Sequence, residues 1–192
     1  MQNRELRETT DGGSLIYYPY FFNQQEADDL FRTLLNNVVW KQEHGRFGRP
    51  YPRLTALYAD EGVVYTYSGV SYPSLPWSEE LAGIRRRVEA AANAPFNSVL
   101  LNRYRDGNDS MGFHSDDEPE LGRNPIVPSI SLGAERGFVL RHKKGKEKIT
   151  YRLNHGSLLI MGGTLQHFWQ HALPKTGVAV GERINLTFRN IL

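Results

Sequence analysis

A mainly β domain with helices flanking one sheet, an α+β arrangement, is predicted by three features of the sequence. About eight short apolar stretches are separated by Gly, Pro, Asn and Asp clusters, two early stretches carry helical periodicity, and no βαβ alternation is present. The strands suit a sandwich or barrel, and the two helices would pack outside one sheet. At 192 residues the chain is long enough for one domain with a full core.

Residues 1–14 are polar and read as a loose arm, with a single domain over 15–192. Residues 23–38, NQQEADDLFRTLLNNV, place Ala27, Leu30, Phe31, Leu34 and Leu35 on one helix face. Asn23 stands as the cap and acids fill the first turns. A second helix is predicted over 78–92, capped by Ser78, with Leu81, Ile84 and Val88 on one side. The strand stretches are RLTALYA, VVYTYSG, FNSVLLNRY, IVPSISLG, GFVLRH, KITYRLN, GSLLIMG and ERINLTF.

Charge and cysteine usage narrow the chemistry. Lys and Arg total 23 against 21 Asp and Glu, a net +2 that neither demands nor excludes a polyanionic partner. With no cysteine there is no disulfide framework and no thiolate metal site, so any metal must be held by His and carboxylate. The N-terminus has no apolar signal core, and no run approaches the roughly 20 apolar residues of a membrane span. The expectation is a soluble, intracellular monomer with no membrane association, cytoplasmic or, in a eukaryote, nuclear.

Three stretches carry candidate chemistry. In RINLTFR, Arg183–Arg189, Ile184, Leu186 and Phe188 face one way, and Arg183, Asn185, Thr187 and Arg189 the other. Alternation alone suits an edge strand with a wet face. Yet two arginines roughly 20 Å apart along a strand can also lean together to hold the ends of a short dicarboxylate. In MGFHSDDEPE, residues 111–120, the His-x-Asp spacing puts His114 and Asp116 on the same side of an extended segment. A second histidine from a distant strand would complete a facial triad of two His and one carboxylate, the donor set of non-haem iron(II). Candidates are His44, His142, His155, His167 and His171. His167 and His171 have the spacing of a helical zinc pair, but Phe168 stands where a zinc protease carries glutamate.

Taken together, LNRYRDGNDSMGFHSDDE, HGSLLIMGG followed by HFWQHALP, and RINLTFR resemble the AlkB family of iron(II)- and 2-oxoglutarate-dependent nucleic-acid dealkylases, over residues 22–191. VVYTYSGV and the H-x-D-D-E run are most similar to the animal DNA-repair members. The resemblance implies a double-stranded β-helix, a jelly-roll relative. It implies iron ligands His114, Asp116 and His171. It places Asn102, Tyr104, Asn185 and Thr187 along 2-oxoglutarate, Arg183 on the distal carboxylate and Arg189 at the end nearer iron. The implied reaction converts 2-oxoglutarate and dioxygen to succinate and carbon dioxide while hydroxylating an N-methyl group, which leaves as formaldehyde.

The implied substrate is alkylated DNA, single- or double-stranded, bearing 1-methyladenine or 3-methylcytosine, with residues 41–77 as the nucleotide-recognition segment. Such bases are cationic, so carboxylates and aromatic faces suit them. Glu118 is expected at the base edge, and Asp117 as a second contact or a brace for an arginine. Tyr65, Tyr67 and Ser68 are expected to line the nucleotide pocket, with Tyr67 stacking on the extruded base. Phe47, in the acid-free stretch HGRFGRPYPR, is the candidate wedge for flipping. RHKKGKEK, residues 141–148, and the run Arg85–Arg86–Arg87 would supply phosphate contacts if they lie on the pocket side. The alternatives are the same chemistry on RNA or a protein side chain, and a non-catalytic β-sandwich in which these His and Arg are structural.

Overall fold

The computed structural model describes residues 4–45, 48–63, 65–67, 70–72 and 74–192, the pairs 65–67 and 70–72 by their backbone. The strands are β1 Glu5–Glu8, β2 Gly13–Tyr18, β3 Leu54–Ala59, β4 Tyr65–Tyr67, β5 Val70–Tyr72, β6 Ser98–Tyr104, β7 Met111–His114, β8 Val127–Gly133, β9 Arg136–His142, β10 Lys148–Leu153, β11 Ser157–Gly163, β12 Trp169–Leu173 and β13 Arg183–Arg189. The helices are α1 Gln24–Asn37, α2 Glu79–Ala92 and the one-turn α3 Leu165–Phe168, with a 3-10 turn at Pro119–Leu121.

From β6 onward the chain shuttles between two facing sheets. β11, β8, β13 and β6 are neighbours in one; β10, β9, β12 and β7 form the other; every pair is antiparallel. That is a double-stranded β-helix. β2 and β1 extend the first sheet beyond β11, and β3 extends it beyond β6, to seven strands. β4 and β5 pair as a separate two-stranded ribbon.

The two long helices, α1 and α2, form where their caps direct. The Asn23 side chain accepts from the Glu26 amide at 3.0 Å while Glu26 accepts from the Asn23 amide at 2.9 Å, a reciprocal capping box. Ser78 accepts from the Leu81 amide, and Asn93 closes α2 in the left-handed conformation at φ 50°. Ala27, Leu34, Leu81, Ile84 and Val88 pack on the outer face of the seven-stranded sheet against Val99, Leu101, Ile184, Leu186 and Phe188. The second core lies between the sheets, where Leu15, Tyr17, Leu159 and Met161 meet Phe138, Leu140, Ile149 and Trp169.

Two expectations are corrected here. The arm is not loose: β1 pairs with β2 from Glu5 opposite Tyr17 to Glu8 opposite Ser14. All four β1 side chains are exposed, so backbone hydrogen bonds hold the strand and no apolar alternation announces it. β13 is not an edge strand with a wet face. It lies between β8 and β6, and all seven of its residues are buried. Its alternation holds, but its polar face turns into the space between the sheets.

Candidate active site

One metal-ligating cluster stands out among the described residues. Strand pairing sets His171 of β12 directly opposite His114 of β7, and the two rings sit edge to face with centroids 4.2 Å apart. Asp116, two residues past the end of β7, brings a carboxylate under them. Donor atoms of His114, Asp116 and His171 all lie within 4.8 Å of one another. His114 Nδ1 lies 2.9 Å from the Gly112 carbonyl, which only accepts, so Nδ1 carries the proton and Nε2 is left as a ligand.

Electrostatics ready these groups for a cation. Burial drives His171 down to about 3, and drives His114 below its ordinary value, so both imidazoles are neutral. Burial alone would raise Asp116. The charge of Arg189, whose Nη2 donates to Oδ1 at 2.7 Å, overrides it and holds the carboxyl well below the usual range. The other oxygen, Oδ2, is buried, accepts no hydrogen bond among the described residues, and lies 3.7 Å from His171 Nε2. A buried carboxylate oxygen left this way, beside two neutral imidazoles, fits a divalent cation.

The pocket continues away from the triad. Leu100, Asn102 and Tyr104 of β6, Ser129, and Arg183, Asn185, Thr187 and Arg189 of β13 line a cavity of about 450 Å³ including its open mouth. Arg183 closes the far end. It is 2% exposed, donates to Ser131 Oγ at 2.9 Å and lies over the Tyr104 ring at 5.3 Å. Burial, with the nearby Arg136, pulls Arg183 down to about 10; among the described residues no carboxylate pairs with it and its buried Nε finds no acceptor. A buried guanidinium in that state fits an anionic end group. Asn185 donates to Ser129 Oγ at 2.8 Å, and Thr187 donates to Asn185 Oδ1 at 3.0 Å. Fork-like Arg183, polar walls and a metal triad at the opposite end fit a short keto-diacid.

The expected substrate residues divide. Asp117 is exposed and pairs with Lys143, not with an arginine, at 3.1 Å. Glu118 continues the extended run before Pro119; burial raises its carboxyl, and Oε2 is buried with no partner among the described residues. Neither lines the metal cavity itself. Phe47 and Ser68, and the side chains of Tyr65 and Tyr67, lie outside the described residues.

Of the basic runs, the β9–β10 hairpin lies near the metal loop, since Lys143 also donates to the Gln166 carbonyl at 2.9 Å. The arginine run does not face the pocket. It belongs to α2, on the opposite side of the sheet, where Arg85 binds Asp60 and Glu89 and Arg87 binds Glu26. His142, His155 and His167 contact Asp11, Asp28 and Asn124. His167 and His171 share no helix, because α3 ends at Phe168.

Several site residues carried no sequence signal. Arg53 is 5% exposed and donates through Nε to Asn102 Oδ1 at 2.8 Å. Its place beside β6 follows from the β3–β6 register, which links residues nearly fifty positions apart and leaves no local pattern. Ser129 and Ser131 read as ordinary strand serines. Gln166, 1% exposed, accepts the Asp116 amide at 3.0 Å.

A double-stranded β-helix holding two imidazoles and a carboxylate, with a guanidinium across the cavity, defines the class of non-haem iron oxygenases that take a keto-acid. The chain belongs to the 2OG-Fe(II) oxygenase superfamily, whose profile matches residues 14–189, and within it to the AlkB family. It is 41% identical over 187 residues to rat alpha-ketoglutarate-dependent dioxygenase alkB homolog 3, which it matches over 91% of itself and 63% of that protein. To the mouse DNA oxidative demethylase ALKBH2 it is 40% identical over 207 residues, covering all of itself and 86% of that protein. The chain thus spans just under two thirds of the homolog 3 relatives. The solved structure of OsALKBH1 matches the fold with a TM-score of 0.68 at 18% identity, over 97% of this chain and all of that one.

Proposed function

We propose that the protein is an iron(II)- and 2-oxoglutarate-dependent dioxygenase that demethylates alkylated nucleobases, 1-methyladenine and 3-methylcytosine, in DNA as direct-reversal repair. The convergence of His114, Asp116 and His171 opposite a buried Arg183 that has no carboxylate partner among the described residues carries this reading. The relatives named as DNA oxidative demethylases support the substrate class.

In this reading His114 Nε2, Asp116 Oδ2 and His171 hold the iron. Bound iron, 2-oxoglutarate and dioxygen supply the oxidation, yielding succinate, carbon dioxide and a hydroxylated N-methyl group that departs as formaldehyde. Arg183 grips the distal carboxylate with Ser131 and Tyr104 steadying the guanidinium. Asn102, Asn185 and Thr187 line the middle of the keto-acid. Arg189 neutralises Asp116 on the side away from the cation and stands at the near end. The flipped base, a cation, would meet Glu118 and Asp117 at the rim. Tyr65, Tyr67 and Ser68 would line its pocket, and Phe47 would fill the gap left in the stack. The absence of cysteine suits a cytoplasmic or nuclear setting.

The test incubates methylated oligonucleotides with protein, iron(II), ascorbate and 2-oxoglutarate and follows them by mass spectrometry. Loss of the methyl group from DNA, with stoichiometric succinate, is expected. Formaldehyde released only from RNA or from a methylated peptide would move the substrate class. Asp116→Ala is expected to abolish both metal binding and succinate formation with the circular dichroism of the fold retained; undiminished turnover would refute the site.

A further inference from the structure

Between the first two ligands and the third, the chain runs through β8 to β11, yet the ligand atoms must meet within a few ångströms. What ties the two arms together is a set of contacts from the α3–β12 corner onto residues 115–117. Ser115 Oγ donates to the Trp169 carbonyl at 2.9 Å. Gln166 Oε1 accepts the Asp116 amide at 3.0 Å, and its amide nitrogen lies 3.9 Å from Met161 Sδ. Lys143 Nζ bridges the Gln166 carbonyl and the Asp117 carboxylate. Of these contacts, the Gln166 bond is the fully buried one that reaches a ligand residue directly.

The geometry points to Gln166 as the positioning residue of this metal site, a buried acceptor that sets Asp116 at its working distance from His171. This rests on the iron-site reading above. The corner is built for such a role. Gly163 turns β11 into α3 at φ +61°, where a Cβ would run into the Gly12 carbonyl oxygen, so the approach of α3 is fixed by packing. Gln166 therefore reaches Asp116 from a rigid one-turn helix that continues into the strand bearing His171. Asp116 is gripped twice, at its amide by Gln166 and at its carboxylate by Arg189, which leaves Oδ2 aimed at the cation position. Outer partners of metal ligands typically change affinity about 10- to 100-fold when removed.

The experiment titrates Co(II) alone, without keto-acid or substrate, into wild-type protein and two variants, reading the visible absorption of bound Co(II). Gln166→Met keeps length and volume but removes the acceptor. Gln166→Glu keeps an oxygen acceptor in either protonation state. Co(II) affinity is expected to fall roughly 10-fold or more in Gln166→Met and to stay within a few-fold of wild type in Gln166→Glu, with far-UV circular dichroism unchanged. Equal affinity in Gln166→Met and wild type overturns the inference, and so does equal weakening in both variants. Should Gln166→Met not fold, Gln166→Asn retracts the same acceptor by one methylene and is read by the same titration and the same criteria. A wild-type protein that binds no Co(II), or whose binding survives Asp116→Ala, overturns the metal site itself and the inference with it.

Discussion

At the scale of single residues, the site is a set of charges balanced for ligands. Arg183 is a fully buried guanidinium whose ordinary value is pulled down by burial, with no carboxylate among the described residues to offset it. Replacing a buried cation of this kind with an apolar side chain of similar length costs little and can stabilise. Arg183→Met is therefore expected to leave the Tm of the ligand-free protein unchanged or raised. The same variant should lose a charge-assisted contact to 2-oxoglutarate worth roughly 1.5–3 kcal/mol, a rise in its KM of roughly 10- to 150-fold. Thermal denaturation and succinate kinetics check the two halves. A large fall in Tm would mean that Arg183 is structural. At this scale the sequence was most informative: His114 and Asp116 were legible as a same-side pair, and Arg183, Asn185, Thr187 and Arg189 as one face of a strand. Whether that face met water or a pocket depended on which strands flank β13, and no local pattern encodes that.

At the scale of elements, what matters is how each strand delivers its ligand. His114 leaves the end of β7, and β7 follows a loop braced by Asp109. That carboxylate, 4% exposed, accepts the Arg105 amide at 2.9 Å and the Arg105 guanidinium at 2.7 and 2.8 Å, while Arg136 donates to the Asp109 carbonyl. Burial would raise the Asp109 carboxyl, but the Arg105 hydrogen bonds and charge outweigh it and hold it below its ordinary value. A carboxyl depressed in the folded state stabilises above the unfolded value of about 3.9, and that contribution is lost as pH falls through the folded value. Asp109→Asn is expected to cost about 1–3 kcal/mol at neutral pH, the deficit shrinking in denaturation series taken below about pH 4. A deficit that does not change with pH would assign the loss to shape alone. The α1 cap offers a simpler check: Asn23→Ala should cost about 1 kcal/mol by urea denaturation, with Co(II) affinity untouched. α1 and α2 were legible to within a residue or two because caps and periodicity are local. β1, β2, β5, β7 and β12 went unread. β1 has no buried side chain, and Met111–His114 mixes half-buried and exposed residues whose partner lies some sixty positions away in β12.

At the scale of the whole molecule, the interior between the sheets is half apolar core and half polar cavity. The apolar half, around Leu140 and Trp169, holds the sheets together; the polar half, from Asp116 to Arg183, holds buried groups whose charges protein atoms balance only in part. A ligand that binds only the folded state stabilises it by mass action, about 2.7 kcal/mol at one hundred times Kd, which for a chain of this size is roughly 5–10 °C in Tm. The two ends of the cavity should respond in order. Mn(II) is expected to raise Tm alone by engaging His114, Asp116 and His171. The keto-acid is expected to add a further rise only when metal is present, because its chelating end needs the cation and its far end needs Arg183. EDTA should reverse both. Arg183→Met should keep the metal increment and lose most of the keto-acid increment, whereas Asp116→Ala should lose both. Differential scanning fluorimetry over this grid separates the triad from the guanidinium. A keto-acid increment that persists without metal, or one that survives in Arg183→Met, would place the acid elsewhere and break the pairing of the two ends into one site.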